Sequence, residues 1–455
     1  MTFDDFLDEI DIDNYVFEAE KKFIQKNEDL NSTNIKRKNK YLYQSREVTE
    51  DMIKRVGPMP YKRQLTVENL TASMNADNLR GFGFYNEGSL IDVMGNNRFR
   101  AGALIFTDLR SSDMFGEYQF LKHRMDFSFR VDKRRYFLIN DASGLPLWHK
   151  NGLNIVEGKI SYPLTNAFRI YAAPTYMNIL FKQMQPIFLP FRQDKDYHLA
   201  GVKAGFNYDN TTMYGINMME GTRYAFMYED YKGINVQNQD YGRLDFDFRH
   251  YKRIHKELLF AFRGAAGMYL GQAKKSFMLG GMDNWFNANS EFSGEDNPLA
   301  RNTSPEIIFD GNTDILLNQY VTNMRGFRFN SLYGDKYFLI NSEIRWPIVK
   351  YIFGKRPLTS SFLRNLQLNT FCDFGSAWTG SSPFDNNNNY NRQVFVQDQT
   401  ISGVVQTFRS PVLTSFGFGL RSYMLGYYLK VDFARGIKDY IRQPWQVHLT
   451  IGHDF

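Results

Sequence analysis

The feature that most limits what this chain can fold into is period-two alternation that persists over stretches longer than a soluble strand. In YGRLDFDFRHY, Leu244, Phe246 and Phe248 alternate with Arg243, Asp245, Asp247 and Arg249. In KELLFAFRGAAGMYLG, Leu258, Phe260, Phe262, Ala266, Met268 and Leu270 share one face and Arg263 lies opposite. In LRSYMLGYYLKVDFA, Leu425, Tyr427, Leu429, Val431 and Phe433 alternate with Gly426, Tyr428, Lys430 and Asp432. Successive strand residues point to opposite faces, so each stretch has one apolar and one ionic side. Soluble strands run about five or six residues, whereas a tilted strand needs about 9–11 to cross a bilayer. Two Asp and two Arg on one face are costly in a sandwich core but suit a wet lumen whose outer wall meets lipid.

Composition narrows the reading. No apolar stretch of about 18 residues occurs, so no spanning helix is expected. The mean hydropathy of −0.46 is compatible with a spanning barrel, whose alternating strands average out as hydrophilic. The 41 Phe and 28 Tyr suit strands and membrane interfaces, although composition alone divides evenly between a soluble aromatic-rich β-protein and a membrane barrel. The net charge of +6 is mild and dispersed, so nucleic acid is not an expected partner. The single Cys372 excludes an internal disulfide, and no zinc-type Cys/His spacing is present. The seven His are scattered; His250 and His255 are near in sequence but fit opposite faces or a turn, so neither metal nor cofactor is expected. Ser, His and Asp all occur, yet no Gly-x-Ser-x-Gly elbow places them, and a hydrolase is the least favoured reading.

Residues 1–63 differ from the rest, with Asp4, Asp5, Asp8, Glu9, Asp11 and Asp13 followed by Lys21, Lys22, Lys26, Lys36, Arg37, Lys38 and Lys40. They read as a polar periplasmic linker or tail that either stays solvated or docks on or inside the barrel. Residues 64–455 read as the barrel, with about sixteen strands at roughly 24 residues per strand and loop. The longest irregular stretch is 282–335. The start, TFDDFLDEIDID, lacks a basic segment followed by an apolar one, so no signal peptide is visible and the sequence reads as a fragment or processed form of an exported protein. The end, WQVHLTIGHDF, alternates through Val447, Leu449, Ile451, His453 and Phe455.

Three segments read together carry a family resemblance: NMRGFRFNSLYGDKYFLINSEIRWPI (323–348), LQLNTFCDFGSAW (366–378) and FGFGLRSYMLGYYLKVDFARG (416–436). They resemble the barrel of the BamA/TpsB superfamily, the bacterial surface-antigen family of outer-membrane assembly and translocation proteins. The similarity is strong over 320–455 and weaker over 64–320. Within it, MLGGMDNWF (278–286), TNMRGF (322–327), FGSAWTGSSPF (374–384) and DIDNYVFEAEK (11–21) are similar to TolB-like fusion proteins, in which a β-propeller precedes such a barrel. No propeller repeats and no room for periplasmic POTRA domains are present here, so activities residing in those domains are not carried over.

The resemblance implies a transmembrane antiparallel β-barrel in the Gram-negative outer membrane, in contact with its lipopolysaccharide and phospholipid and with periplasmic or outer-membrane protein partners. It implies aid to insertion or translocation of proteins rather than bond chemistry; a barrel anchor or solute pore for a periplasmic propeller is the alternative. It marks Arg325, Gly326 and Phe327 as the tip of an inward-folded loop, 341–345 as the following strand, and Phe371, Cys372, Asp373, Phe374 and Gly375 as the strand that receives the tip. A final strand ending in Phe455 looks like the terminal signal read by the assembly machinery. Alternation independently puts Phe338, Ile340, Ile344 and Trp346 outward and Asn341, Glu343 and Arg345 inward, and it puts Leu366, Leu368, Cys372 and Phe374 outward and Phe371 and Asp373 inward. A guanidinium entering that lumen meets carboxylates it can bind as a fork. We therefore expect Arg325 to pair with Asp373 near Glu343, Gly326 to allow close approach to the wall, and Phe327 to pack on Phe371. Arg243, Arg249 and Arg263 are either pore-lining charges or partners of lumenal Asp. The barrel is expected to close by pairing its first and last strands, because unpaired backbone groups in lipid cost several kcal/mol each.

Overall fold

The computed structural model describes residues 64–77, 79–140, 147–184, 194–236, 238–288, 316–354, 360–385, 388, 392–397, 401–406, 409–424 and 426–455. The segment read as a polar linker, 1–63, lies outside them. One compact unit spans Arg63–Phe455.

Long alternating stretches form long strands. They are β1 (Leu65–Asp77), β2 (Gly81–Asp92), β3 (Asn97–Phe106), β4 (Ser112–Phe120), β5 (Asp126–Asn140), β6 (Leu147–Pro163), β7 (Phe168–Met184) and β8 (Lys195–Asp209). They continue as β9 (Met218–Gly233), β10 (Tyr241–His255), β11 (Leu258–Gly271), β12 (Lys336–Trp346), β13 (Gln367–Trp378), β14 (Leu413–Met424), β15 (Tyr427–Lys438) and β16 (Ile441–Ile451). Each pairs antiparallel with the next; with the short strand Thr212–Gly215, which pairs with β9, they make one seventeen-stranded sheet. Consecutive pairing throughout makes the sheet an all-β meander.

The two faces of the sheet have opposite chemistry. Phe129 is 53% exposed and Phe418 47%, and Phe84, Phe127, Val131, Val202, Ile344, Phe416 and Leu449 are exposed beside them on the outer face. A continuous apolar surface of this kind is a liability in water and the expected wall in hydrocarbon. The inner face carries ion pairs that run from strand to strand. Arg100 meets Glu87 at 2.6 Å and Glu117 at 3.3 Å, and Lys203 meets Glu157 at 2.7 Å. Arg243 meets Glu229 at 2.9 Å and Asp245 at 2.8 Å, while Arg249 and Arg263 share Asp247 at 2.6 and 2.9 Å. The three arginines are thus paired with inward carboxylates.

Three sequence expectations need correction. The alternation across LRSYMLGYYLKVDFA is two strands, because Gly426 adopts φ +86° and turns β14 into β15. Within 282–335 the chain is not wholly irregular: Phe277–Leu279 pairs parallel with Gln319–Val321 and antiparallel with Leu332–Gly334. Finally, no ladder joins β1 to β16 among the described residues. The edge of β16 is instead taken up by residues 284–287. Phe286 N–H donates to the Leu449 carbonyl at 2.8 Å, Leu449 N–H donates to Asn287 Oδ1 at 2.7 Å, and Asn287 Nδ2 donates to the Val447 carbonyl at 2.8 Å. The Asn284 amide spans the seam, donating to the Ile451 carbonyl at 3.2 Å and accepting from Ala76 N–H of β1 at 3.4 Å.

Candidate functional site

β12 and β13 lie side by side, and their register puts Asn341 opposite Asp373 and Glu343 opposite Phe371. Their burial alternates strictly: Asn341, Glu343, Arg345, Phe371 and Asp373 are buried, while Ile340, Ile344, Cys372 and Phe374 are exposed. Alternation in the sequence marks the same faces, because a strand's face is a local property.

The loop 316–332 brings Arg325 onto this wall. Nε donates to Asp373 Oδ2 at 2.7 Å and Nη2 to Asp373 Oδ1 at 2.6 Å, a two-pronged fork. Nη1 donates to Glu343 Oε1 at 2.5 Å. Arg325 is 1% exposed and Asp373 is 0% exposed. Burial alone disfavours the guanidinium charge, but Asp373 and Glu343 outweigh it and hold the group protonated well past its ordinary range. Asn341 Nδ2 donates to Asp373 Oδ1 at 2.8 Å and to the Asn323 carbonyl at 2.6 Å, and Ser415 Oγ donates to Asp373 Oδ2 at 3.4 Å. Glu343 is shared with Arg345, whose Nε donates to Oε2 at 3.0 Å.

Gly326 sits at φ +77°, and a Cβ there would meet Gly436 N at 2.7 Å. Only glycine permits this approach to β15. Its N–H donates to His448 Nε2 of β16 at 2.9 Å. The Phe371 ring lies under the Arg325 guanidinium, 3.6 Å from centroid to Cζ. Phe327 lies over Gly436, where an added Cβ would meet its ring at 2.7 Å. Gly375 admits Leu279 of the loop sheet, which would lie 3.2 Å from an added Cβ.

The chain terminus departs from the alternation expected of it. Val447 and Leu449 face outward and are exposed. β16 ends at Ile451, and Gly452 at φ +120° then redirects the chain. His453 lies outside the strand, and Phe455 turns inward, buried with Met218, Met219, Tyr251, Leu259 and Ala261. Arg345 Nη2 donates to the Phe455 backbone oxygen at 3.1 Å. The physical reason is a second ionic cluster that sequence reading missed. Asp454 accepts from Arg421 Nε at 2.9 Å and from Asn217 Nδ2 at 2.9 Å, and Lys430 lies 3.3 Å away. Burial alone would raise the Asp454 carboxyl, but Arg421, Lys430 and Arg345 hold it well below the usual carboxylate range. Arg421 also forks onto Asp432 at 2.6 and 3.2 Å. Inward parity of Arg421, Lys430 and Asp432 was the available signal. His250 and His255 have separate partners, the hydroxyls of Thr222 and Tyr351, at 2.8 and 3.0 Å.

Residues 95–455 match the family model described as the Omp85 superfamily domain. No curated protein sequence matches the chain. Among solved structures, the chain is similar to BamA from Haemophilus ducreyi lacking POTRA domains 1-3, at 12% identity and a TM-score of 0.53, covering 85% of this chain and 75% of that one. It is also matched to CdiB from Escherichia coli, at 9% identity and a TM-score of 0.48, covering 87% of this chain but only 63% of that one.

Proposed function

Because this chain belongs to the Omp85 superfamily, we propose that it aids insertion or translocation of polypeptides across the outer membrane, with the loop around Arg325 pinned inside the barrel as a brace. It is a β-barrel protein of the Gram-negative outer membrane. The observation that carries the proposal is the seam. The first and last strands are joined through the side-chain amide of Asn284. Side-chain contacts separate at lower cost than a ladder of backbone bonds, and each backbone group released into lipid is costly unless another strand meets it. A seam of this kind lowers the barrier for an extended segment that enters beside it.

The brace stands on the fork of Arg325 with Asp373 and Glu343 and on the approach of Gly326 to β15 and β16. Since the same loop region carries both the fork and residues 284–287, pinning one end positions the other. The reaction breaks no covalent bond, so its residues position strands and polarise nothing. Depletion in cells tests the reading: many outer-membrane barrel proteins fall together if the chain serves assembly. Loss of uptake of a single solute, with the other barrel proteins at normal levels, would replace this reading with a pore.

A further inference from the structure

Strands β5 to β10 are 15 to 17 residues long. About 9–11 suffice to cross the hydrocarbon, so these strands project past it at one end. The two longest connections of the sheet, 272–335 and 379–412, are at that end with 141–146 and 185–194, whereas at the other end 93–96, 121–125, 164–167, 210–217, 256–257 and 425–426 are short and 347–366 is the one long connection. Barrels of this class carry long connections outside the cell and short turns in the periplasm. The projecting ends are therefore extracellular.

Across that boundary cations enter the outward face and apolar side chains enter the inward one. On β5 the outward residues Phe127, Phe129 and Val131 are exposed and apolar, and the next two outward positions are Lys133 and Arg135. Inward at the same level lie buried Leu138, Leu153, Ile155, Met177, Ile179 and Leu199. Register carries the change across three strands. Val131 pairs with Val156 and Val156 with Tyr176; one step outward, Lys133 pairs with Asn154 and Asn154 with Asn178. Two steps further, Phe137 pairs with Lys150, and Lys150 pairs directly with Lys182.

Like charges directly opposite on one sheet face are destabilising. Lys133, Lys150 and Lys182 are exposed, and with Arg135 they form no ion pair among the described residues. Arg135 is held flat over the sheet: its Nη2 donates to Asn154 Oδ1 at 2.8 Å, and a Cβ at Gly152 would meet its Nη1 at 2.8 Å. Asn154 in turn donates to Asn178 at 3.0 Å, and Asn178 to Asp196 at 2.5 Å, so that carboxylate is engaged at the far side; Asp194 follows one step beyond Lys195, the partner of Phe181, at the Lys182 end of the patch. The inward face at this level is filled by buried side chains, His149 and Asn151 among the apolar ones, and the cations lie on the opposite, outward face.

We propose that Lys133, Arg135, Lys150 and Lys182 bind the phosphates of a phosphorylated glycolipid of the outer leaflet. Its acyl chains lie along the apolar band formed by Phe127, Phe129, Val131 and Tyr176. The charge fits a diphosphorylated headgroup, and the level of the patch, one residue pair above the apolar band, is where such a headgroup sits. The inference uses the outer-membrane location alone and is independent of the assembly reading.

The test is native mass spectrometry of the full chain in detergent, titrated with diphosphorylated lipid A, with dephosphorylated lipid A and with inorganic phosphate as separate arms. Each membrane-surface cation is worth roughly fivefold in affinity. The variant Lys150→Gln/Lys182→Gln should therefore bind diphosphorylated lipid A about 30-fold more weakly, with its heat-modifiable gel migration unchanged. Equal retention by wild type and variant would overturn the site. So would equal binding of the dephosphorylated lipid, or displacement of lipid A by millimolar-range inorganic phosphate.

Discussion

Arg325 brings a permanent charge to a place closed to bulk solvent, and the two carboxylates it meets are equally buried. Removing one partner of such a cluster leaves uncompensated charge, a loss of about 3–5 kcal/mol. Arg325→Ala should accordingly lose the compact unheated band on gels or unfold at clearly lower urea, and Arg325→Lys should fall between, since an ammonium cannot make the fork. A variant that migrates and unfolds like wild type would remove the loop from any bracing role. At this scale the sequence was legible as far as faces go: Asn341, Glu343 and Arg345 are assigned inward by parity alone. Which ring lies under which residue was not legible, because Phe371 and Phe327 are 44 positions apart in sequence and their meeting depends on the path of the loop.

At the scale of the strand, the outward apolar face is the element that ties the chain to lipid. Phe418 on β14 stands outward among Phe416, Leu420 and Trp445. A cation facing hydrocarbon near the midplane costs about 2–4 kcal/mol. Phe418→Arg should lower folding yield into bilayers by that order, measured by protease-protected, heat-modifiable protein, while the same substitution on a solvated strand would have almost no effect. Strand existence and facing were readable because alternation is a short-range pattern. Strand ends were less so: β14 and β15 run together as one alternating stretch, since the turn at Gly426 interrupts the parity by nothing visible except a glycine. The departure of the last residues inward from Ile451 was also hidden, because it is driven by Arg421, Lys430 and Arg345 from three different strands.

For the whole molecule, the seam is the decisive feature. Trp285 and Thr450 face each other as an isolated antiparallel bridge, and directly opposed residues of that kind lie within reach of a disulfide. In a Cys372→Ser background, Trp285→Cys/Thr450→Cys should cross-link on oxidation and shift gel mobility reversibly with reductant. Absence of the cross-link in folded protein would show that residues 284–287 do not occupy the edge of β16. The expectation of closure by β1 and β16 rested on a sound principle, that backbone groups in lipid require partners. What supplies those partners was beyond a local reading, since Asn284 and Asn287 reach the last strand over 160 or more residues of chain.

The sequence alone determined the class of sheet, the approximate number of strands and which side chains face lipid or lumen. Each of these follows from the two-residue repeat of an extended backbone and the transfer cost of charge into hydrocarbon. The tertiary structure decided which distant groups meet: Arg325 with Asp373, Asp454 with Arg421, residues 284–287 with β16, and Lys150 beside Lys182. Such meetings depend on register around the whole sheet and on where a long loop re-enters it. No pattern confined to neighbouring residues carries that information.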